Sequence, residues 1–158
     1  MSSAKKEAEM HKMDETDGRI LADLRAHGRD SYRQVARRLS LHPATVIKRA
    51  QAMQKNGLIK GFGAQVDFLR LGYEFMAMVE IRCTSGRIPE VGAKLAAQRS
   101  VVSVWDITGH EDMMILVACK TRAEFNRAIK SIGALAHVER TITHFILNVI
   151  KSEGDFEL

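Results

Sequence analysis

Hydrophobic and polar positions alternate between two periods along this chain. From Asp14 to Ala26 the apolar residues Ile20, Leu21 and Leu24 fall on one side of a helix, and Asp14, Glu15 and Asp17 crowd its first turn, where negative charge suits the helix dipole. Gly28 is a stop signal, and Ser31 is a good N-cap for a second helix that buries Tyr32, Val35, Ala36 and Leu39. A tight turn, Ser40-Leu41-His42, leads to Pro43 at the first position of a third helix, where its missing N–H costs little. Val46, Ala50 and Met53 form the inward stripe of that helix, and Asn56-Gly57 ends it. Residues 58–66 read as a short extended segment, giving a helix-turn-helix (winged) domain over 13–66 and a linker over 67–72.

Past the linker the period changes. Tyr73 to Cys83 is rich in β-formers, with Phe75, Ala77, Val79 and Ile81 in alternation. Pro89 to Gln98 carries Val91, Leu95 and Ala96 at helical spacing. Strands follow over Val101–Thr108 and Met113–Cys119, joined by a hairpin turn at Gly109-His110-Glu111-Asp112. Arg122 to Ile132 predicts a helix with Phe125, Ile129 and Ile132 inward, and His137 to Ile150 a long strand through Thr141, Thr143, Phe145, Leu147 and Val149. The order β-α-β-β-α-β over 73–151 is the ferredoxin-like arrangement, and the fold class is α+β. One face of such a sheet packs on its helices. The other carries apolar residues of its own, which predicts a partner, most economically a second copy of the chain.

Charge separates the same two regions. Residues 31–60 hold seven basic side chains and no acidic one; residues 1–66 carry a net +6 and residues 67–158 a net −1. A basic helix-turn-helix is a device for gripping the phosphate backbone and reading the major groove. Thr45 and Lys48, in the first turns of the third helix, are the candidates for base edges. Arg33 and Arg49 are candidates for phosphate, which adds affinity without sequence information. Double-stranded DNA is the expected partner.

Other classes find little footing. Cys83 and Cys119 both sit in apolar runs, as reduced core residues of a cytoplasmic protein do. No stretch approaches the ~20 apolar residues of a membrane span. The six histidines have no metal-ligand spacing, and there is no P-loop or nucleophile elbow. The reading is therefore of a non-enzyme with neither metal nor cofactor. Residues 1–12 read as a disordered polar tail and 152–158 as an acidic one.

The ordered set of segments resembles the Lrp/AsnC (leucine-responsive / asparagine-operon) family of transcription regulators. "MDETDGRILADLRAHGRDSYRQVARRLSLHPATVIKRAQAMQKNGLIKGFGAQVD" is similar to that family's DNA-binding domain, "VVSVWDITGHEDMMILV" to the start of its effector half with a Thr-Gly-x-x-Asp turn, and "RTITHFIL" to its last strand. The resemblance implies a sequence-specific regulator that dimerises and often assembles to an octamer, with an amino-acid effector held between subunits. It implies DNA contacts from Ser31, Tyr32, Arg33, His42, Pro43, Thr45, Lys48 and Arg49, and effector contacts from Thr108, Gly109, His110 and Asp112, with Thr141 and Thr143 contributing from a neighbouring strand or subunit. The chemistry fits: an α-amino group wants a carboxylate such as Asp112, and an α-carboxylate wants backbone N–H groups, which a glycine turn offers. The chain also departs from the family. His42 stands where a Ser commonly caps the third helix; histidine caps poorly, which predicts a frayed end or a DNA contact by His42 itself. His110-Glu111 inside the effector turn points to a basic or polar effector, or to none. Two alternatives share the layout: an architectural DNA-binding protein without effector, and a tetrapyrrole enzyme similar to sirohaem decarboxylases.

Overall fold

A computed structural model of the chain describes residues 13–151. The predicted tails, 1–12 and 152–158, lie outside the described residues. The chain divides into two compact units, the first running to residue 65 and the second spanning 66–151.

The first unit is three helices: α1 (Glu15–Ala26), α2 (Tyr32–Leu39) and α3 (Pro43–Lys55). Their N-termini are closed by side chains. Asp14 caps α1 in a reciprocal box with Asp17, and Ser31 does the same for α2 with Gln34. Each box satisfies N–H groups that a helix start would otherwise leave orphaned. The turn between α2 and α3 passes through Ser40 in the left-handed region (φ 56°), and the Leu41 N–H closes it on the Ala36 carbonyl at 2.8 Å. Ile20, Leu24, Val35, Ala36, Val46, Ala50, Met53 and Ile59 make the core, the apolar stripes the sequence predicts. Among the described residues, 58–66 form no strand, so no β-wing follows α3. The segment begins by closing the end of α3, with the Leu58 and Ile59 N–H groups both donating to the Met53 carbonyl.

The second unit is β1 (Phe75–Cys83), α4 (Ile88–Ala96), β2 (Val101–Asp106), β3 (Met113–Cys119), α5 (Arg122–Gly133) and β4 (Val138–Phe145). The expected linker over 67–72 is a compact turn, with Gly72 at φ 85° and the Tyr73 N–H bonded to the Phe68 carbonyl at 2.9 Å. The strands lie in the order β2-β3-β1-β4, every neighbour antiparallel, which is the ferredoxin-like sheet. Ala77, Val79 and Ile81 of β1 and Met113, Ile115 and Val117 of β3 face the helices and meet Val91, Leu95, Ala128 and Ile132. Ala96, expected inward, is exposed. It lies a further 100° around the helix from Leu95.

Alternation sends Met78, Glu80, Met114, Leu116, Trp105 and Ile142 to the opposite face, which no element of this unit covers. Trp105 is 44% exposed and Ile142 37%. The uncovered apolar sheet face expected from the sequence is therefore present. β4 is shorter than expected. Among the described residues its partner is β1, and the last rung is the Ile146 N–H to the Met76 carbonyl at 2.9 Å. Beyond it Leu147 and Ile150 stand 92% and 94% exposed.

Candidate DNA-reading and effector sites

On the three-helix unit the residues picked from the sequence divide by what their side chains already do. Arg33, exposed on the first turn of α2, makes no ion pair with another described residue, and the same holds for Arg37 and Lys48. Arg49 is different. Its guanidinium reaches Asp14 at 2.6 Å and Asp17 at 2.8 Å, joining α3 to the start of α1. The hydrogen bonds it donates to Asp17 first, then Asp14, push the Arg49 pKa up. The expected phosphate contact is thus already engaged with two carboxylates, one of them on a buried residue. Arg38 is committed in the same way, to Asp23 at 2.6 Å and Asp30 at 2.7 Å. The run of basic residues without an acid looked uniformly available because the acids that pair with it come earlier in the chain.

The other candidates surround the start of α3. Ser31 is spent on its capping box and Tyr32 packs against the core. His42 caps α3, its Nδ1 accepting from the Ala44 N–H at 3.3 Å, so this end is neither uncapped nor reliant on Ser. Pro43 occupies the first turn and Thr45 is half-buried. The stripe that faces outward is Ala44, Ile47, Lys48 and Gln51, all exposed and three or four residues apart. Ile47 lies about 100° around the helix from Val46, off the inward stripe of Val46, Ala50 and Met53.

In the sheet unit the Thr108–Asp112 segment joins β2 to β3 at the end where β1 finishes and β4 begins. Thr108, Gly109 and His110 are exposed, and Gly109 has φ 136°, a backbone that side chains rarely adopt. Asp112 fastens the loop. Its carboxylate accepts from the Cys83 N–H at 2.7 Å, and its own N–H donates to the Ile81 carbonyl at 3.0 Å. Thr141 lies directly across from Ile81 on β4 and is half-buried; Thr143 is one rung further from the loop, opposite Val79, and exposed. The structure gathers Thr108, Gly109, His110, Asp112 and Thr141 around one end of the sheet, with Thr143 at its margin.

Glu111, whose residue is 5% exposed, sits at that end between two arginines. Arg82 and Arg140 are directly opposed on β1 and β4, a pairing of like charges that costs stability by itself. The Glu111 carboxylate lies 3.5 Å from Arg82 Nε and hydrogen-bonds Arg140, and Arg82 also donates to the His110 carbonyl. Glu111 Oε2 has no hydrogen-bond partner among the described residues. The triad has no local mark in the sequence: Glu111 lies in the loop before β3, and its two partners come from β1 and β4. Its acid is neutralised from within, so it does not give the effector turn a second free negative charge.

Two family profiles match the chain: the AsnC-type helix-turn-helix domain over residues 13–54, and the Lrp/AsnC ligand binding domain over residues 76–156. The chain belongs to the Lrp/AsnC family. It has the organisation of a transcriptional regulator, a helix-turn-helix DNA-binding domain followed by a ligand-binding domain. An HTH-type transcriptional regulator of Pyrococcus abyssi is 32% identical over 146 residues, 92% of this chain and 98% of that one. E. coli AsnC is similar in structure, with TM-score 0.80 and 25% identity over 90% of this chain and 98% of that chain. NMB0573 from Neisseria meningitidis, solved as an L-Met complex, has TM-score 0.79 but 19% identity, covers 89% and 93% of the two chains, and shows the shared fold alone. The family and these relatives are transcription regulators rather than enzymes. Among the described residues no helix is long and apolar enough to cross a membrane.

Proposed function

We propose that this Lrp/AsnC member is a sequence-specific DNA-binding regulator, acting in the cytoplasm as a homodimer or a larger assembly of dimers, whose binding responds to an amino acid or a similar small effector. The observation that carries the DNA reading is the sorting of charge on the helix-turn-helix. Arg38 and Arg49 are consumed in holding the helices together, while Arg33, Arg37 and Lys48 are left for a polyanion. Lys48, on the outward stripe of α3, is placed for base edges in the major groove, with His42, Pro43 and Thr45 around the entry of the helix. Arg33 is placed for phosphate, and Ser31 and Tyr32 fix the turn that carries it. Arg49 supports the reading helix from behind.

The uncovered sheet face supports self-association, and a twofold pairing of sheets would deliver two helix-turn-helix units to two half-sites. The effector reading rests on the loop end of the sheet: N–H groups of Thr108, Gly109 and His110 for a carboxylate, and the Asp112 oxygen not used by Cys83 for an ammonium, with Thr141 and Thr143 beside them. The L-Met complex of a protein with the same fold supports an amino acid as the class to try. The test is a titration of the full chain, followed by calorimetry, with each of the twenty amino acids. Saturable heat from at least one, abolished by Asp112→Ala but not by a substitution on α2, is the expected result. Absence of heat from all twenty, alongside intact DNA binding, would leave the architectural alternative.

A further inference from the structure

Of the three large apolar side chains on α3, two are buried. Val46 and Met53 are 0% exposed; Ile47, between them in sequence, is 37% exposed and packs in neither core cluster. It shares the outward stripe with Ala44 one turn before and Lys48 and Gln51 beside and after it, the N-terminal two turns that the DNA reading places in the major groove. Ile47 leaves more than a third of its surface in solvent and, being β-branched, has lower helix propensity than alanine. Its χ1 is nearly fixed in a helix, so its methyl groups are held in one direction without further ordering. A rigid apolar group on the face that meets base edges has one complement there, the C5-methyl of thymine, the only apolar group the major groove displays.

We propose that Ile47 is a specificity residue that reads a thymine by packing on its C5-methyl, so that each half-site carries one thymine whose methyl group, rather than its hydrogen-bonding edge, is recognised. The proposal rests on the DNA-binding reading and adds the base to it. Arg49 cannot substitute, being turned to Asp14 and Asp17, and the outward stripe carries one cation, Lys48, one amide, Gln51, the single methyl of Ala44 and the larger apolar side chain of Ile47.

The experiment uses the full chain and a duplex selected by it from a random pool. Each thymine of the selected site is replaced in turn by deoxyuridine, which removes the methyl and nothing else. For the wild type, one position per half-site is expected to lose about fourfold in affinity, the transfer of one methyl-sized group from an apolar contact to water. Ile47→Ala is expected to bind with that loss already present and to be indifferent to deoxyuridine at the same position. Ile47→Val, which keeps the branch, is expected to retain part of the discrimination. Circular dichroism and thermal unfolding of both variants check that the helix is intact, as alanine and valine on an exposed face should leave it. Wild-type affinity unchanged by deoxyuridine at every position, or an Ile47→Ala variant with the wild-type pattern of losses, overturns the proposal while leaving DNA binding standing. A change in oligomeric state of Ile47→Ala with an unchanged deoxyuridine pattern overturns it too, and assigns Ile47 to a protein contact. A chain that binds the pool but selects no sequence from it overturns the sequence-specific reading and this inference together.

Discussion

Arg33 and Arg49 are both arginines of the helix-turn-helix, but Arg49 is paired with Asp14 and Asp17 while Arg33 makes no ion pair with a described residue. Replacing Arg33 by Ala should weaken DNA binding without touching the fold, because its guanidinium makes no ion pair with a described residue. With Arg33 and Arg37 of both protomers on phosphates, about four counterions leave on binding, and the slope of log K against log salt is about −3.6. Affinity should then fall about 150-fold between roughly 50 and 200 mM salt. Arg33→Ala in a dimer removes two contacts and should flatten the slope by about 2, with a loss that is the same for every sequence. Arg49→Met should do the reverse: a slope close to the wild type and a lower thermal midpoint, because Asp14 and Asp17 lose the guanidinium between them. Fluorescence anisotropy on a labelled duplex at four or five salt concentrations, with a thermal melt of each variant, measures both. A slope unchanged by Arg33→Ala, or one flattened as much by Arg49→Met at an unchanged midpoint, would refute the assignment.

Three further outcomes follow from the same geometry. Hydrogen bonds and charge from Arg38 hold Asp23 below its ordinary value of 3.8; at Asp17 burial pushes the pKa up, but the hydrogen bonds and charge of Arg49 outweigh it and the net shift is also down. The stability these two contribute is present above the unfolded value and lost as pH falls through the lower folded ones, so urea midpoints should hold from pH 7 to about 5 and drop below about 4, less steeply in Asp17→Asn. Glu111→Gln should cost about 2 kcal/mol in denaturant unfolding, less than breaking a fully buried pair because Arg82 and Arg140 are partly exposed; an unchanged midpoint would show that the triad is not what offsets the two opposed arginines. Burial pushes the Cys83 and Cys119 thiols up, so both should stay unreactive to a disulfide reagent at pH 8 in native protein and titrate fully in denaturant; rapid labelling of either without denaturant would contradict their place in the core.

The elements were legible wherever a period ran unbroken. Val46, Ala50 and Met53 fix the inward side of α3 by spacing alone, and Ala77, Val79 and Ile81 fix the helix side of β1. What escaped depends on contacts across the chain. Nothing local distinguishes Arg49 from Lys48, and only the three-helix fold, which brings Asp14 and Asp17 to it from 35 and 32 residues away, shows that it is taken. The capping role of His42 was missed because propensity ranks histidine low, while the imidazole nitrogen needs only to accept one N–H. The end of β4 was overrun because alternation continues through Leu147 and Val149 after the partner strand has stopped. The turn between β2 and β3 was legible from its glycine and aspartate, but the arginines that steady it lie on two other strands and carry no mark in sequence.

The most direct test of the central claim is a footprint of the purified full chain on the promoter of its own gene, with and without a mixture of the twenty amino acids. The account predicts a protected palindromic site whose half-sites lie about one helical turn apart, and a protection pattern that the mixture changes. Protection that is uniform along the fragment, or absent at every concentration and on every duplex of a random pool, would contradict it.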